Sequence, residues 1–332
     1  MVGIVPPVKA ASSDGRLSLL WGSPVRPVLI AVLVSLSGPC LVAAQTTPWG
    51  DPDLQGIWSN QTPVPLERPA ALAGKPYFTE AEAAETERNA LASVLKNVAA
   101  DIPTSGEFSE IWLESGKGKV NLSRRTSLVA DPPDGKIPFT VEGRARWAAT
   151  PNLATERITG TKLGTDRVED RALQERCIVS DSMFVPTAFY NNYHRIVQAP
   201  GYVVIVSEHM GDTRVIPLDR RPRLGSDIRQ WLGDARGWWE GRTLVVETTN
   251  FNDKRRFQGS TQELHLIERF SRVDRDAISY QLTVVDPRTF SRPWTLENTL
   301  RRSDEQMFES ACHEGNRGIT AILAGGRAAD RR

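Results

Sequence analysis

The sequence predicts a mainly β protein, built as an antiparallel up-and-down β-barrel or a strongly curved sheet, with an N-terminal helical and irregular segment. From residue 193 onward, apolar and polar residues alternate with a period of two, which is typical of half-buried strands. Seven such segments follow one another with short connections and no intervening helix. A sheet of that length usually closes or curls, because exposed edges invite aggregation.

Residues 1–44 have the pattern of a signal peptide. Basic residues precede the apolar run VLIAVLVSL (28–36), and the small residues Val42 and Ala44 fit the positions before a cleavage site. The run is too short to span a bilayer comfortably. We therefore expect cleavage near Ala44 and a periplasmic or secreted protein that has no membrane partner after cleavage.

The cysteines indicate a disulfide. Of three cysteines, Cys40 would leave with the signal peptide, so Cys177 and Cys312 remain. Two cysteines in an exported protein most simply pair with each other. Their bond would tie the segment after the last predicted strand to the segment before the first.

The remaining chain is expected to form one compact domain from an N-terminal segment (45–176) and a β-barrel region (177–332). A helix is predicted over residues 79–100, because Thr79 and Glu82 form a capping box ahead of an Ala- and Glu-rich stretch. The rest of the N-terminal segment is weakly patterned and reads mainly as loops.

The strand candidates begin after this segment. The stretch 53–58 is a candidate for an eighth strand, and the Trp- and Gly-rich stretch 233–241 is interpreted as a loop. The seven alternating segments are 193–198, 202–208, 212–218, 242–251, 264–274, 277–287 and 294–303.

Side-chain alternation assigns faces to two of these strands. Tyr280 is predicted to face the interior with Ile278, Leu282 and Val284, and Glu297 to face outward. The segments 242–251 and 264–274 carry polar residues on either face. Buried polar groups are costly unless paired, so a functional site is expected there.

The candidate catalytic residues are histidines and carboxylates, because a histidine oriented by a carboxylate is a competent general base. Of the four histidines, His194 and His209 are interpreted as hydrogen-bonded packing residues. The stronger candidates are His265 and His313, as an acid–base pair, with Glu247 and Glu268 as orienting carboxylates and Glu314 next to His313. Glu247, on the neighbouring predicted strand, could pair with either histidine.

Aromatic and polar residues near these strands suggest a pocket for a small molecule. Arg269 and Tyr280 would stabilise developing negative charge. Tyr193, Trp238 and Asn250 are the other predicted substrate-binding residues. The alternative role for the aromatic residues is to fill and cap the core.

Several function classes lack support. A net charge of +1 without a basic stripe argues against nucleic-acid binding. No nucleophile elbow, P-loop or dinucleotide-binding glycine motif occurs. No two histidines have a metal-motif spacing, so a metal site would need ligands from separate strands. We therefore expect no cofactor.

The motifs DLQGIW, RCI, GDARGWWEGRTLVVETTNF, LHLIERFSRVD, VVDPRTFSRPWT and ACHEGN together resemble a group of exported bacterial proteins. The likeness covers nearly all of the chain after residue 44, and it implies export but no catalytic residues. The strand pattern also looks like a lipocalin-type barrel, which is an analogy of fold alone.

Three hypotheses follow. The first is an exported, cofactor-independent lyase, hydratase or isomerase that uses His and Glu acid–base catalysis on a small apolar or aromatic carbonyl or hydroxyl compound. The second is a non-catalytic barrel that binds a small hydrophobic ligand. A metal-assisted hydrolase is the third.

Overall fold

The structure is a computed structural model that describes residues 46–105, 114, 116–150, 163–180, 184–185, 191–219, 221–254 and 257–331. The chain divides into two units, Met1–Ala44 and Gln45–Arg332. The fold below is that of the second unit. The predicted signal peptide lies outside the described residues.

The protein is mainly β, with ten described strands in one antiparallel sheet. The seven segments predicted from alternation are all strands. The strands are β1 (Gly56–Ser59), β2 (Val129–Asp131), β3 (Tyr193–Ala199), β4 (Tyr202–Ser207), β5 (Thr213–Pro217), β6 (Asp234–Glu240), β7 (Thr243–Thr249), β8 (His265–Arg272), β9 (Ala277–Val285) and β10 (Trp294–Ser303).

The sheet has an up-and-down topology with one open seam. Its order is β5-β4-β3-β1-β10-β9-β8-β7-β6, and β2 adds to β10. The predicted eighth strand is therefore confirmed as β1, which lies between the first and last strands of the meander. Ser59 of β1 is opposite Tyr193 of β3 on one side and Arg301 of β10 on the other. Among the described strands, β5 and β6 are the two ends of this order, and no backbone pairing joins them, so hydrogen bonds do not close the sheet.

Side chains fill the seam between β5 and β6. Gly237 of β6 has no side chain, and a Cβ there would lie 2.7 Å from Leu218 and 2.8 Å from Ile216. The loop before β6 covers the same edge, because Arg236 Nη2 donates to the carbonyl oxygen of Pro222 (2.9 Å). Packing and this loop together protect two strand edges that would otherwise be exposed.

The prediction of a loop over residues 233–241 was wrong, because most of this stretch forms strand β6 (Asp234–Glu240). The sequence DARGWWE does not show the alternation expected of a strand, because Gly237 occupies an inward position where an apolar side chain would be expected. That glycine is required by the close approach of β5. The short strand β2 was also missed, because it is paired only at two positions of β10.

The described part of the chain includes three α-helices. They are α1 (Glu80–Ser105), α2 (Val141–Ala149) and α3 (Gly318–Ala329). The predicted capping box of α1 is confirmed: Thr79 N donates to Glu82 Oε2 (2.8 Å), and Glu82 N donates to Thr79 Oγ1 (3.3 Å). Among the described helices, none has the length and apolar character needed to cross a membrane.

The core lies on the concave, inner face of the sheet. The two strands whose faces were predicted have the expected orientation. Their buried residues are Ile278, Tyr280, Leu282 and Val284 of β9, and Trp294, Leu296, Asn298 and Leu300 of β10. Glu297 points outward, where it pairs with Arg125 (3.2 Å).

A disulfide joins Cys177 to Cys312, as the sequence predicts, with a Cα–Cα distance of 5.6 Å. It connects positions 135 residues apart, one before β3 and one after β10. The bond therefore holds both ends of the barrel region together.

Removing this bond should lower the free energy of unfolding. A closed loop of this length corresponds to about 4–5 kcal/mol of lost chain entropy in the unfolded state. We expect the double variant Cys177→Ser/Cys312→Ser to lose up to that amount in urea unfolding, and the reduced wild type to lose a similar amount. A double variant that unfolds within about 1 kcal/mol of the oxidised protein would contradict this assignment.

Candidate functional site

A buried polar network crosses the interior of the barrel. Its members are Arg214 of β5, Glu268 of β8, Tyr280 of β9, His194 of β3 and Ser207 of β4, and we call this set the interior network. All five side chains belong to buried residues. Polar groups in an otherwise apolar core are costly and concentrate at functional sites.

Strand alternation explains why these residues point inward. Arg214 lies on the same face of β5 as the fully buried Ile216, and His194 lies on the same face of β3 as Ile196. Glu268 occupies a buried position on β8, between two residues that are only partly buried. The network thus consists of polar residues at positions where the pattern calls for apolar ones.

An ion pair between Arg214 and Glu268 is the centre of the network. Arg214 Nη1 donates to Glu268 Oε1 (3.0 Å), and Nη2 donates to the other carboxylate oxygen. Arg214 Nη2 also approaches Thr248 Oγ1 at 3.4 Å. Tyr280 donates its hydroxyl proton to Glu268 Oε1 (3.1 Å). Four strands are therefore linked by one carboxylate and one guanidinium group.

The electrostatics keep these groups in defined protonation states. Burial opposes the charge on Arg214, but the adjacent Glu268 raises the pKa of Arg214 above its ordinary value. Burial and then the Glu268 charge raise the pKa of Tyr280 well above its usual range. The guanidinium therefore stays charged, and the phenol keeps the proton that it donates.

His194 has one satisfied and one unsatisfied ring nitrogen. Nδ1 lies 3.0 Å from Ser207 Oγ, whereas Nε2 has no hydrogen-bond partner among the residues that the structure describes. Burial, followed by the charges of Arg214 and His209, lowers the pKa of His194 to about 3. The imidazole is therefore neutral near pH 7, and the tautomer decides whether Nε2 donates or accepts.

The aromatic ring of Phe184 covers His194. The two ring centroids are 4.3 Å apart, and the Phe184 ring lies 5.0 Å from that of Tyr280 and 5.2 Å from that of Phe270. The carbonyl oxygen of Phe184 accepts a hydrogen bond from Asn298 Nδ2 (3.3 Å). The polar network thus adjoins an aromatic environment.

Other predicted site residues lie on the outer face of the sheet. His265 Nε2 lies 2.7 Å from Glu247 Oε1, an ion-pair distance, although the geometry is not that of a hydrogen bond. Glu247 also pairs with Arg223. Arg269 pairs with Glu240 (2.8 Å), which accepts a hydrogen bond from Trp238 Nε1 (3.0 Å). The predicted His265–Glu247 contact therefore exists, on the opposite face from the interior network.

Three further predicted residues occupy separate places. Asn250 Nδ2 donates to the carbonyl oxygens of Leu224, Gly225 and Ile228, so it fixes the loop before β6. His313 and Glu314 are exposed in a turn after β10.

Tyr193, adjacent to His194 on β3, donates its hydroxyl proton to Glu305 Oε2 (2.9 Å). Among the predicted catalytic and binding residues, only Glu268 and Tyr280 belong to the interior network. No contact joins His265 to His313 in the described part of the chain, so their predicted pairing stays without support.

The sequence interpretation missed His194, Ser207 and Arg214 as site residues. The signal was present in the strand patterns YHRIVQ and TRVIPL, where a histidine and an arginine share a face with buried isoleucines. A carboxylate near a histidine in the sequence is a weaker signal, because adjacent residues of a β-strand point to opposite faces of the sheet.

The structure gives no assembled metal site in the described ranges. No group of three or more His, Cys, Asp or Glu residues there has the arrangement needed to hold a metal ion.

Breaking the Arg214–Glu268 pair should destabilise the protein strongly. Glu268→Gln or Arg214→Met leaves one buried charge unpaired, which typically costs about 3–5 kcal/mol. The double variant Arg214→Met/Glu268→Gln should recover part of this loss. The free energies of unfolding of all four proteins form a double-mutant cycle that measures the coupling. Additive losses in that cycle would contradict a direct interaction.

The neutral state of His194 should make stability depend on pH. An unfolded histidine binds a proton near pH 6.5, whereas the folded His194 does so only near pH 3. Between these values protons favour the unfolded state, so the free energy of unfolding should fall with falling pH by about 1.4 kcal/mol per unit. Urea unfolding at several pH values should show a shallower dependence in His194→Gln than in wild type.

A matched control for this measurement is Val215→Thr, at an outward-facing position of β5 that is 57% exposed. That variant adds no titrating group and should keep the wild-type dependence on pH. Equal slopes for wild type and His194→Gln would contradict the neutral, buried assignment of His194.

Comparisons with known proteins assign no family. No protein-family model matches the sequence, and no curated protein matches it. Among solved structures, the chain is similar to an abundant heat soluble (SAHS) protein from Ramazzottius varieornatus. The identity is 11%, the match covers 33% of this chain and 70% of that chain, and the TM-score is 0.24. A likeness this weak carries no conclusion about binding or catalysis.

Proposed function

We propose that the protein is exported and binds a small, uncharged, largely apolar or aromatic molecule inside the barrel, through a carbonyl or hydroxyl group of that molecule. The observation that carries the proposal is His194 Nε2, a fully buried ring nitrogen without a partner among the described residues. Leaving such a group unpaired costs about 1–3 kcal/mol. A ligand group that bonds to Nε2 would recover this free energy.

The chemistry of the imidazole defines the polar part of the ligand. Ser207 holds Nδ1, and the neutral ring presents Nε2 either as a donor or as an acceptor. A donor suits a carbonyl oxygen, and an acceptor suits a hydroxyl proton. Both belong to the substrate class expected from the sequence.

The surrounding charges favour an uncharged ligand. The guanidinium of Arg214 is already neutralised by two hydrogen bonds to Glu268. A carboxylate ligand placed beside this pair would meet the negative charge of Glu268 in a medium of low dielectric constant. The rings of Phe184, Phe270 and Tyr280 offer the apolar surface for the rest of the molecule.

Acid–base catalysis of the lyase, hydratase or isomerase type is the second candidate function. It is favoured by the His194–Ser207 pair and by Tyr280, since the rings of His194 and Tyr280 both lie against that of Phe184. A neutral imidazole donating from Nε2 can polarise a carbonyl group, and the positioned side chains would stabilise the charge that develops on its oxygen. Loss of turnover with retained binding in His194→Gln would identify catalysis.

Export rests on three compatible features. The protein has a disulfide between Cys177 and Cys312. The N-terminal sequence has the signal-peptide pattern, and the motifs resemble those of exported bacterial proteins. A periplasmic or secreted location is therefore part of the proposal.

Binding can be tested with four one-ring compounds that differ in their polar group: acetophenone, phenol, benzoate and toluene. We expect acetophenone or phenol to bind more tightly than benzoate and toluene in calorimetric titrations. The variant His194→Leu should weaken that binding at least about tenfold, because the hydrogen bond to Nε2 is lost.

The control is His265→Leu, which makes the same substitution on the outer face and should leave the affinities unchanged. Equal affinities for all four compounds would contradict the role of a polar group. An equal loss in both histidine variants would contradict the interior location.

A further inference from the structure

His209 also has a buried ring nitrogen without a partner. Its Nδ1 forms no hydrogen bond with any residue that the structure describes. The sequence suggested a hydrogen-bonded packing role for His209, and this nitrogen does not fulfil it. Burial lowers the pKa of His209 below its ordinary value, so the imidazole is neutral near pH 7. His209 therefore offers the same chemistry as His194, which is one nitrogen of a neutral ring that can bind a polar group.

His209 lies at the same end of the sheet as His194. Ser207 of β4 is directly opposite His194 of β3, and its hydroxyl group holds His194 Nδ1 (3.0 Å). His209 follows Ser207 by two residues, which span at most about 7 Å of chain. The rings also interact electrostatically, because the charge of His209 lowers the pKa of His194 after the larger effects of burial and Arg214. His209 is therefore a near neighbour of the site proposed at His194.

The turn that carries His209 has an unusual backbone. The short 3₁₀ turn His209–Gly211 connects β4 to β5, and Met210 within it has a left-handed conformation (φ 66°). A residue with a side chain adopts this conformation only at a cost in free energy, and such residues concentrate at functional sites. The fold thus accepts a local strain at the position next to His209.

Contacts with distant parts of the chain anchor both sides of this turn. Glu208 N donates to the carbonyl oxygen of Tyr193 (2.8 Å), and Glu208 Oε1 accepts a hydrogen bond from Phe308 N (3.2 Å). On the other side, Asp212 Oδ2 accepts a hydrogen bond from Ser180 N (3.0 Å). These bonds fix the residues before and after the turn, so the His209 ring is presented from a defined position.

We infer that His209 is a second polar anchor of the interior binding site, and that the ligand carries two uncharged oxygen groups on one small apolar or aromatic frame. The inference rests on the proposed function, because both histidines contact the same molecule. A hydroxyl group suits either tautomer of a neutral imidazole, since it both donates and accepts, and a carbonyl group suits the tautomer that donates. The ligand class is therefore an aromatic diol or a hydroxy-carbonyl compound.

The cost of unpaired nitrogens favours two oxygen groups over one. A buried polar atom without a partner carries an unfavourable free energy. A ligand with a single oxygen at His194 leaves Nδ1 of His209 in that state. A second oxygen on the same frame pairs this nitrogen too, without the further loss of translational and rotational freedom that a separate molecule would bring.

The ortho, meta and para isomers of hydroxyacetophenone test this inference, because each carries both a hydroxyl and a carbonyl group on one ring. Their affinities for the purified, disulfide-intact protein are compared by calorimetric titration with those of phenol and acetophenone. The three isomers present the second oxygen at three different distances from the first. We expect at least one isomer to bind about tenfold more tightly than either one-oxygen compound, which corresponds to one additional hydrogen bond.

The variant His209→Leu should lose this gain and keep the wild-type affinity for the one-oxygen compounds. A second variant, His209→Gln, retains an amide that can donate or accept, so it should keep part of the gain. The matched control is His313→Leu, the same substitution at an exposed position, which should leave every affinity unchanged. Circular dichroism checks that each variant is folded, and the comparison among ligands in wild type needs no variant.

The outcomes separate this inference from the proposed function. If a one-oxygen compound binds through His194 and no isomer binds more tightly, the second anchor is overturned and the proposed function stands. A gain that persists in His209→Leu also overturns the inference, because the second contact then lies elsewhere. If none of the five compounds binds, the proposed function fails, and the inference fails with it.

Discussion

The ion pair between Arg214 and Glu268 is the interaction on which the connection between the two halves of this curved sheet depends. Strand β5 has a hydrogen-bonded neighbour on one side only, β4, and its other edge faces the seam. Arg214 reaches from β5 across the interior to β8, and the same guanidinium approaches Thr248 of β7. The pair thus supplies a bond between the two halves of the sheet where backbone pairing is missing. Apolar packing at Gly237 acts at the seam itself.

The same interaction constrains what the interior can accept. A buried guanidinium and carboxylate are tolerated only if they pair with each other, and the hydroxyl of Tyr280 adds a further hydrogen bond to Glu268. The two charges are therefore neutralised by each other, whereas Nε2 of the neutral His194 has no partner among the described residues and can bind a ligand. An uncharged polar group is the complement of such a site. Stability of the fold and selectivity of the site come from one arrangement.

Much of the fold could be predicted from the sequence, because period-two alternation is a local property. It predicted seven strands and the inward faces of β9 and β10. The Cys177–Cys312 disulfide was predicted because two cysteines remain after the predicted signal peptide. Strand β6 was missed because Gly237 interrupts its alternating pattern. That glycine is needed where β6 approaches side chains of residues more than fifteen positions away in the sequence. The partners within the interior network belong to five different strands, so their association follows from curvature and register, which no local pattern specifies.

Alternation also explains why the two faces of the sheet differ in chemistry. Along β3, Tyr193 and His194 are consecutive, yet Tyr193 donates to the carboxylate of Glu305 whereas His194 lies in the buried interior. The sheet between them separates an exposed surface, where charges are screened by solvent, from a region of low dielectric constant, where they must be paired. An uncharged molecule is therefore best bound on the inner face. Strand β1 pairs with both β3 and β10 and places Trp58 opposite His194. Because a register shift of one residue exchanges the two faces of a strand, the pairing of this short strand constrains which side chains surround His194.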